Sequence, residues 1–79
     1  MKTTRTAIRK NTRSTEVETG SMGRTWDHFY KHPPHEAFEL KHSEPAVMHH
    51  YGPNTNVIGY ARTKKEFVEI VYSHLNQMP

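Results

Sequence analysis

A small α+β domain, with antiparallel β-hairpins packed in two layers against a C-terminal helix, is the fold class this sequence predicts. Three observations carry that expectation. Residues 63–78 open with a capping signature and continue as an apolar stripe at helical spacing. Two extended segments flank Gly52-Pro53-Asn54-Thr55, a turn cluster in which Pro sets φ. A second pair of Thr-rich, alternating segments flanks Asn11-Thr12-Arg13 near the N-terminus.

Taken in order, residues 4–10 alternate and Ser14–Thr19 alternates again, which predicts an N-terminal hairpin. In that pairing Ile8 and Val17 share a face, while Arg5 and Arg9 face Glu16 and Glu18. Gly20-Ser21-Met22-Gly23 then breaks the chain. Thr25 is placed to cap a short helix with Trp26, Phe29 and Tyr30 on one side, and that helix must end at His32 ahead of Pro33. Trp26 and Phe29 are expected in the core. Residues 36–41 fit two readings: a turn of helix opened by Pro34, or a strand, since Phe38 and Leu40 are two apart. Ala46–Tyr51 and Asn56–Arg62 read as the second hairpin, with Gly59 marking a bulge or a close backbone approach.

Thr63-Lys64-Lys65-Glu66 is a capping box, in which Thr accepts from a helical N–H and Glu reaches back. Phe67, Ile70, Val71, His74, Leu75 and Met78 follow at helical spacing, widened by Val68 and Tyr72, so residues 64–77 are read as a helix.

The 79 residues form one domain, residues 1–79, in a size range where buried surface barely offsets chain entropy. Ile, Leu, Val and Phe together number 13, about a sixth of the chain and below the level at which disorder becomes a concern. The net charge of +3 is too small to favour disorder, and one residue in ten is aromatic, so a folded body is expected, completed by a partner or by homodimerisation.

No cysteine is present, which excludes disulfides, thiolate metal sites and cysteine nucleophiles. A cysteine-free chain this small points to a reducing compartment. The first ten residues carry no signal-like apolar run, and no stretch approaches the ~20 apolar residues of a membrane span. The expected location is cytoplasmic, with no membrane partner and no cofactor.

Charge is placed unevenly. Lys2, Arg5, Arg9, Lys10 and Arg13 give residues 1–13 a charge of +5, whereas residues 14–79 hold six basic and eight acidic side chains. That is the pattern of a basic arm, or a basic edge strand, on a near-neutral body.

Five features are candidates for function. Arg62, Lys64 and Lys65 stand at a helix start, where free N–H groups and the dipole favour anions. The alternative is a solvated surface with Glu66 and Glu69 nearby. Arg5, Arg9, Lys10 and Arg13 suit phosphates, with salt-dependent, sequence-independent attraction; against this stands a charge-paired strand. Seven histidines allow the charge to climb from +3 to +10 on acidification. His28 and His32, four apart on a predicted helix beside Asp27, are the first suspects for metal, but there is no His-Glu-x-x-His motif. Scattered histidines and no metal site are the expectation.

His49 or His50 with Arg62 or Lys64 is a general acid–base set for RNA cleavage. No phosphate-binding Gly loop or nucleophile elbow accompanies it, so an enzyme ranks third. Lastly, Tyr51 and Tyr60 on facing strands suit base stacking or a protein interface.

The function expected first is a non-catalytic regulator that docks on another protein, as an inhibitor or accessory factor of a nucleic-acid-processing enzyme. In size, thin core and lack of catalytic motifs the chain resembles small regulators encoded by phages and mobile elements. Direct nucleic-acid binding through the basic arm and the Arg62–Lys65 helix start is the alternative.

Overall fold

The computed structural model describes residues 3–18, 25–32, 35–41 and 45–77, with the backbone alone for residues 13–18 and 25–27. The element order is α1 (Arg5–Asn11), β1 (Arg13–Glu18), β2 (Thr25–His32), β3 (Glu36–Lys41), β4 (Ala46–Tyr51), β5 (Asn54–Tyr60) and α2 (Lys64–Gln77). The strands form an antiparallel meander in the order β1-β2-β3-β4-β5. This is the expected α+β architecture, a sheet of hairpins with the last helix packed on it. Among the described residues, no helix is long and apolar enough to cross a membrane.

Residues 5–11 are helical, not the first strand of an N-terminal hairpin. The Thr4 side chain accepts from the Ala7 N–H at 3.1 Å, a good N-cap. Arg, Ala and Lys are sound helix formers, and Arg9 and Lys10 suit the negative C-terminal end. Thr12 closes the turn, its N–H and hydroxyl both donating to the Ile8 carbonyl. The alternation in residues 4–10 held a single large aliphatic side chain, Ile8, and one buried anchor is as compatible with a helix as with a strand. Segment 13–18 is a strand, but it pairs with β2. Arg5 faces Glu69 on α2 in place of Glu16 or Glu18. The break expected at residues 20–23 lies outside the described residues.

The helix expected after Thr25 is also a strand. In β2 the side chains that turn toward the helices are His28 and Tyr30, both buried, and half-buried His32. Their period is two, but imidazoles and a phenol do not register as an apolar alternation. Phe29 is half-buried, and the Trp26 side chain lies outside the description. β2 ends at His32, where Pro33 was expected to stop the element. In residues 36–41 the strand reading holds, with Glu36, Phe38 and Leu40 on the covered face.

The second hairpin is tighter than expected, with β5 starting at Asn54 directly after Gly52-Pro53. Gly52 sits at φ +58°, and its N–H donates to the His35 carbonyl at 3.0 Å. The ladder shifts between Val47 and Met48, whose partners are Gly59 and Val57, so Ile58 is the extra residue of a bulge. A Cβ on Gly59 would lie 3.2 Å from Ile70, which makes the position both bulge-adjacent and a close approach.

α2 spans Lys64–Gln77, as its pattern predicts. Ile8 from α1 and Phe67, Val68 and Val71 from α2 meet Tyr30, Phe38, Leu40 and Val47 of the sheet in one core, with Ala61 at its edge. Both helices therefore cover the same face of the sheet.

Candidate functional site

The cationic residues named from the sequence divide three ways. Arg9, Lys64 and Lys65 come together. The Lys64 ammonium donates to the Thr12 carbonyl at 3.5 Å, and this brings the start of α2 beside the end of α1. The three side chains line a depression of about 310 Å³ floored by Val68. Lys10 is exposed on the same last turn of α1.

Arg5 stands apart, because Glu69 accepts from its Nε and Tyr72 lies under its guanidinium. The hydrogen bond to Glu69 is the main reason its pKa is raised above the ordinary arginine value. Arg62 is exposed beside a different depression, lined by Leu40, Pro45 and Ala61. The Arg13 side chain lies outside the description.

The capping box forms as read. The Glu66 N–H donates to Thr63 Oγ1 at 3.2 Å, and Glu66 Oε1 accepts from the Arg62 N–H at 3.0 Å. The Thr63 and Glu66 side chains thus cap the start of α2, and the Lys64 head reaches across to α1.

Tyr51 and Tyr60 are 54% and 70% exposed. They sit at opposite ends of the β4–β5 ladder, Tyr51 opposite Asn54 and Tyr60 opposite Ala46. Six residues of strand separate Asn54 from Tyr60, roughly 20 Å. The two rings do not form one stacking platform.

A second assembly lies at the other end of α2. Glu36 opens β3, His49 stands opposite Phe38 on β4, and His74 comes from the last turn of the helix. Glu36 and His49 are buried and His74 is half-buried. Glu36 accepts from His49 Nε2 at 2.5 Å and from His32 Nδ1 at 3.1 Å. The His49 ring stacks on Phe38 at 4.6 Å, and its centroid is 4.5 Å from that of His74. Burial pushes the His74 pKa below the ordinary histidine value; neighbouring His49 adds to this and Glu36 opposes it. His74 Nε2 is buried and has no hydrogen-bond partner among the described residues.

His28 and His32 do not form a pair. Along a strand, four residues span about 13 Å. His28 instead stacks toward Phe67 at 6.1 Å, while His32 turns to Glu36. The His49 of the ribonuclease set lies in the Glu36 cluster. Ten residues of helix, about 15 Å of rise, separate Lys64 from His74 beside it. No local spacing announces the Glu36–His49–His74 cluster, since its members come from three elements. The one sequence signal was a surplus of histidine.

No protein-family model matches this chain, and neither a curated protein nor a solved structure matches it.

Proposed function

We propose that this chain is a non-catalytic binding module that engages nucleic acid directly, through phosphate contacts from Arg9, Lys64 and Lys65 with Lys10 beside them. The observation that supports the reading is the meeting of two cationic segments, distant in sequence, around one depression. Lysines in a first helical turn are disfavoured by the dipole, so a surface that gathers them suits an anionic partner. With Tyr51 and Tyr60 apart, the recognition is of backbone charge and not of stacked bases.

Titration against labelled RNA and DNA, single-stranded and duplex, at several salt concentrations tests this. Three phosphate contacts give a log–log salt slope of roughly −3 on duplex DNA. Arg9→Ala or Lys65→Ala reduces that slope by about 1, and Arg5→Ala, whose charge Glu69 already matches, changes it less. Absence of binding at low salt would overturn the reading.

A second reading, docking on a protein as an inhibitor or accessory factor, is favoured by one observation. β5 is an edge strand bearing exposed Val57 and Tyr60. Such docking has mild salt dependence and fails on Tyr60→Ala. Under either reading the place of action is the cytoplasm, which the cysteine-free composition favours.

A further inference from the structure

We infer that Glu36, His49 and His74 form a binding site for a divalent transition-metal ion of the zinc class, separate from the cationic surface. One ligand-capable atom from each residue lies within 4.8 Å of the other two. Around a tetrahedral ion with bonds of about 2.0–2.1 Å, neighbouring ligand atoms stand roughly 3.4 Å apart. The cluster reaches that spacing by side-chain movements of about an ångström. Glu36 and His49 open from their 2.5 Å hydrogen bond, and half-buried His74 swings in.

The electrostatics support an ion. Glu36 is 8% exposed, and the hydrogen bonds it accepts come from imidazoles. A buried carboxylate is costly unless its charge is matched. Here the match comes from a protonated imidazole or from a bound cation. A network built only for hydrogen bonding would also pair the third ring, yet His74 Nε2 is buried without a partner among the described residues.

Two imidazole nitrogens and one carboxylate oxygen are a zinc donor set, too poor in oxygen for calcium or magnesium. Three protein ligands leave a coordination position for water. His32, donating to the other oxygen of Glu36, holds the carboxylate in orientation from behind. His74 is also reached from solvent, since it lines a depression of about 340 Å³ with Ile58, Ile70 and Ser73.

The experiment uses the full chain without a purification tag, stripped with a chelator. Co2+ is added and followed by its visible ligand-field bands, and Zn2+ is measured by competition with a chromophoric chelator. One ion per chain is expected, with a melting temperature raised by Zn2+. His74→Gln and Glu36→Gln lose the bands and the thermal shift, whereas His35→Gln, at an exposed histidine, keeps both. His32→Ala weakens Zn2+ on the order of tenfold. If Glu36→Gln fails to fold by circular dichroism, His74→Gln decides alone, because its side chain is only half-buried. Absence of Co2+ bands and of Zn2+ competition would overturn the inference. Undiminished binding by His74→Gln would do the same, by placing the ion on other histidines.

Discussion

Arg5 and Glu69, sixty-four residues apart, tie the two helices together: the Arg5 Nε lies 2.8 Å from each carboxylate oxygen. The Arg5 guanidinium carbon also sits 4.1 Å from the centroid of the Tyr72 ring, one helical turn further along α2. This clamp is at the surface, so its role is to hold α1 in place more than to stabilise the whole fold. Arg5→Ala is expected to speed amide exchange several-fold at Ile8 and Thr12, whose N–H groups close the turns of α1. Exchange in β3 and β4 stays unchanged. Equal acceleration across the sheet would mean that the clamp supports the global fold instead.

Ile8 is the apolar anchor of the same helix and is fully buried. Truncating a buried Ile to Ala costs about 3 kcal/mol, through lost transfer energy and the cavity left behind. Ile8→Ala should lower the urea midpoint accordingly. An effect below about 1 kcal/mol would show that α1 contributes little to the core.

Glu39 supplies a pH dependence. Burial raises its pKa above the ordinary carboxylate range, with the nearby His50 opposing the rise. The native state therefore holds this proton to higher pH than the unfolded chain does. Its contribution to stability is fully present below the unfolded value and is lost as pH rises through the folded one. Denaturation across the mildly acidic range should show that decline in the native sequence. Glu39→Gln, neutral throughout, should lack it, and identical pH profiles would refute the assignment.

Gly52 holds a left-handed φ of +58°, and a Cβ built there meets nothing within 4 Å. The penalty of a side chain is then conformational alone, about 1 kcal/mol for Gly52→Ala. Gly52→Asn should cost less, because Asn tolerates that region. Chemical denaturation of the pair separates the two. Equal stability of Gly, Asn and Ala would place the turn in another conformation.

What was legible in the sequence follows from which side chains do the burying. α2 is legible because aliphatic residues repeat behind a capping box, and both signals are local. β4 and β5 are legible because Gly52-Pro53 punctuates two short extended runs. β2 is hidden, since its covered face is made by His28, Tyr30 and His32, which look polar in one dimension. α1 is hidden because Ile8 alone reaches the core. Both halves of the cationic surface can be named in advance, but their adjacency depends on where α1 docks. The Glu36–His49–His74 cluster needs the sheet register and the helix together before its parts meet.

The sequential order of the strands also governs how the chain finds its shape. In a meander every strand pairs with its neighbour in sequence, so each hairpin closes a short loop and no strand waits for a distant partner. α1 is the exception. Its side-chain ties run to Glu69, Lys64 and Tyr72, all more than fifty residues away, and exist only once α2 has settled on the sheet. The α1–α2 pairing is therefore the highest-contact-order contact of the fold, and the Arg9–Lys64–Lys65 surface exists only where the two helices meet.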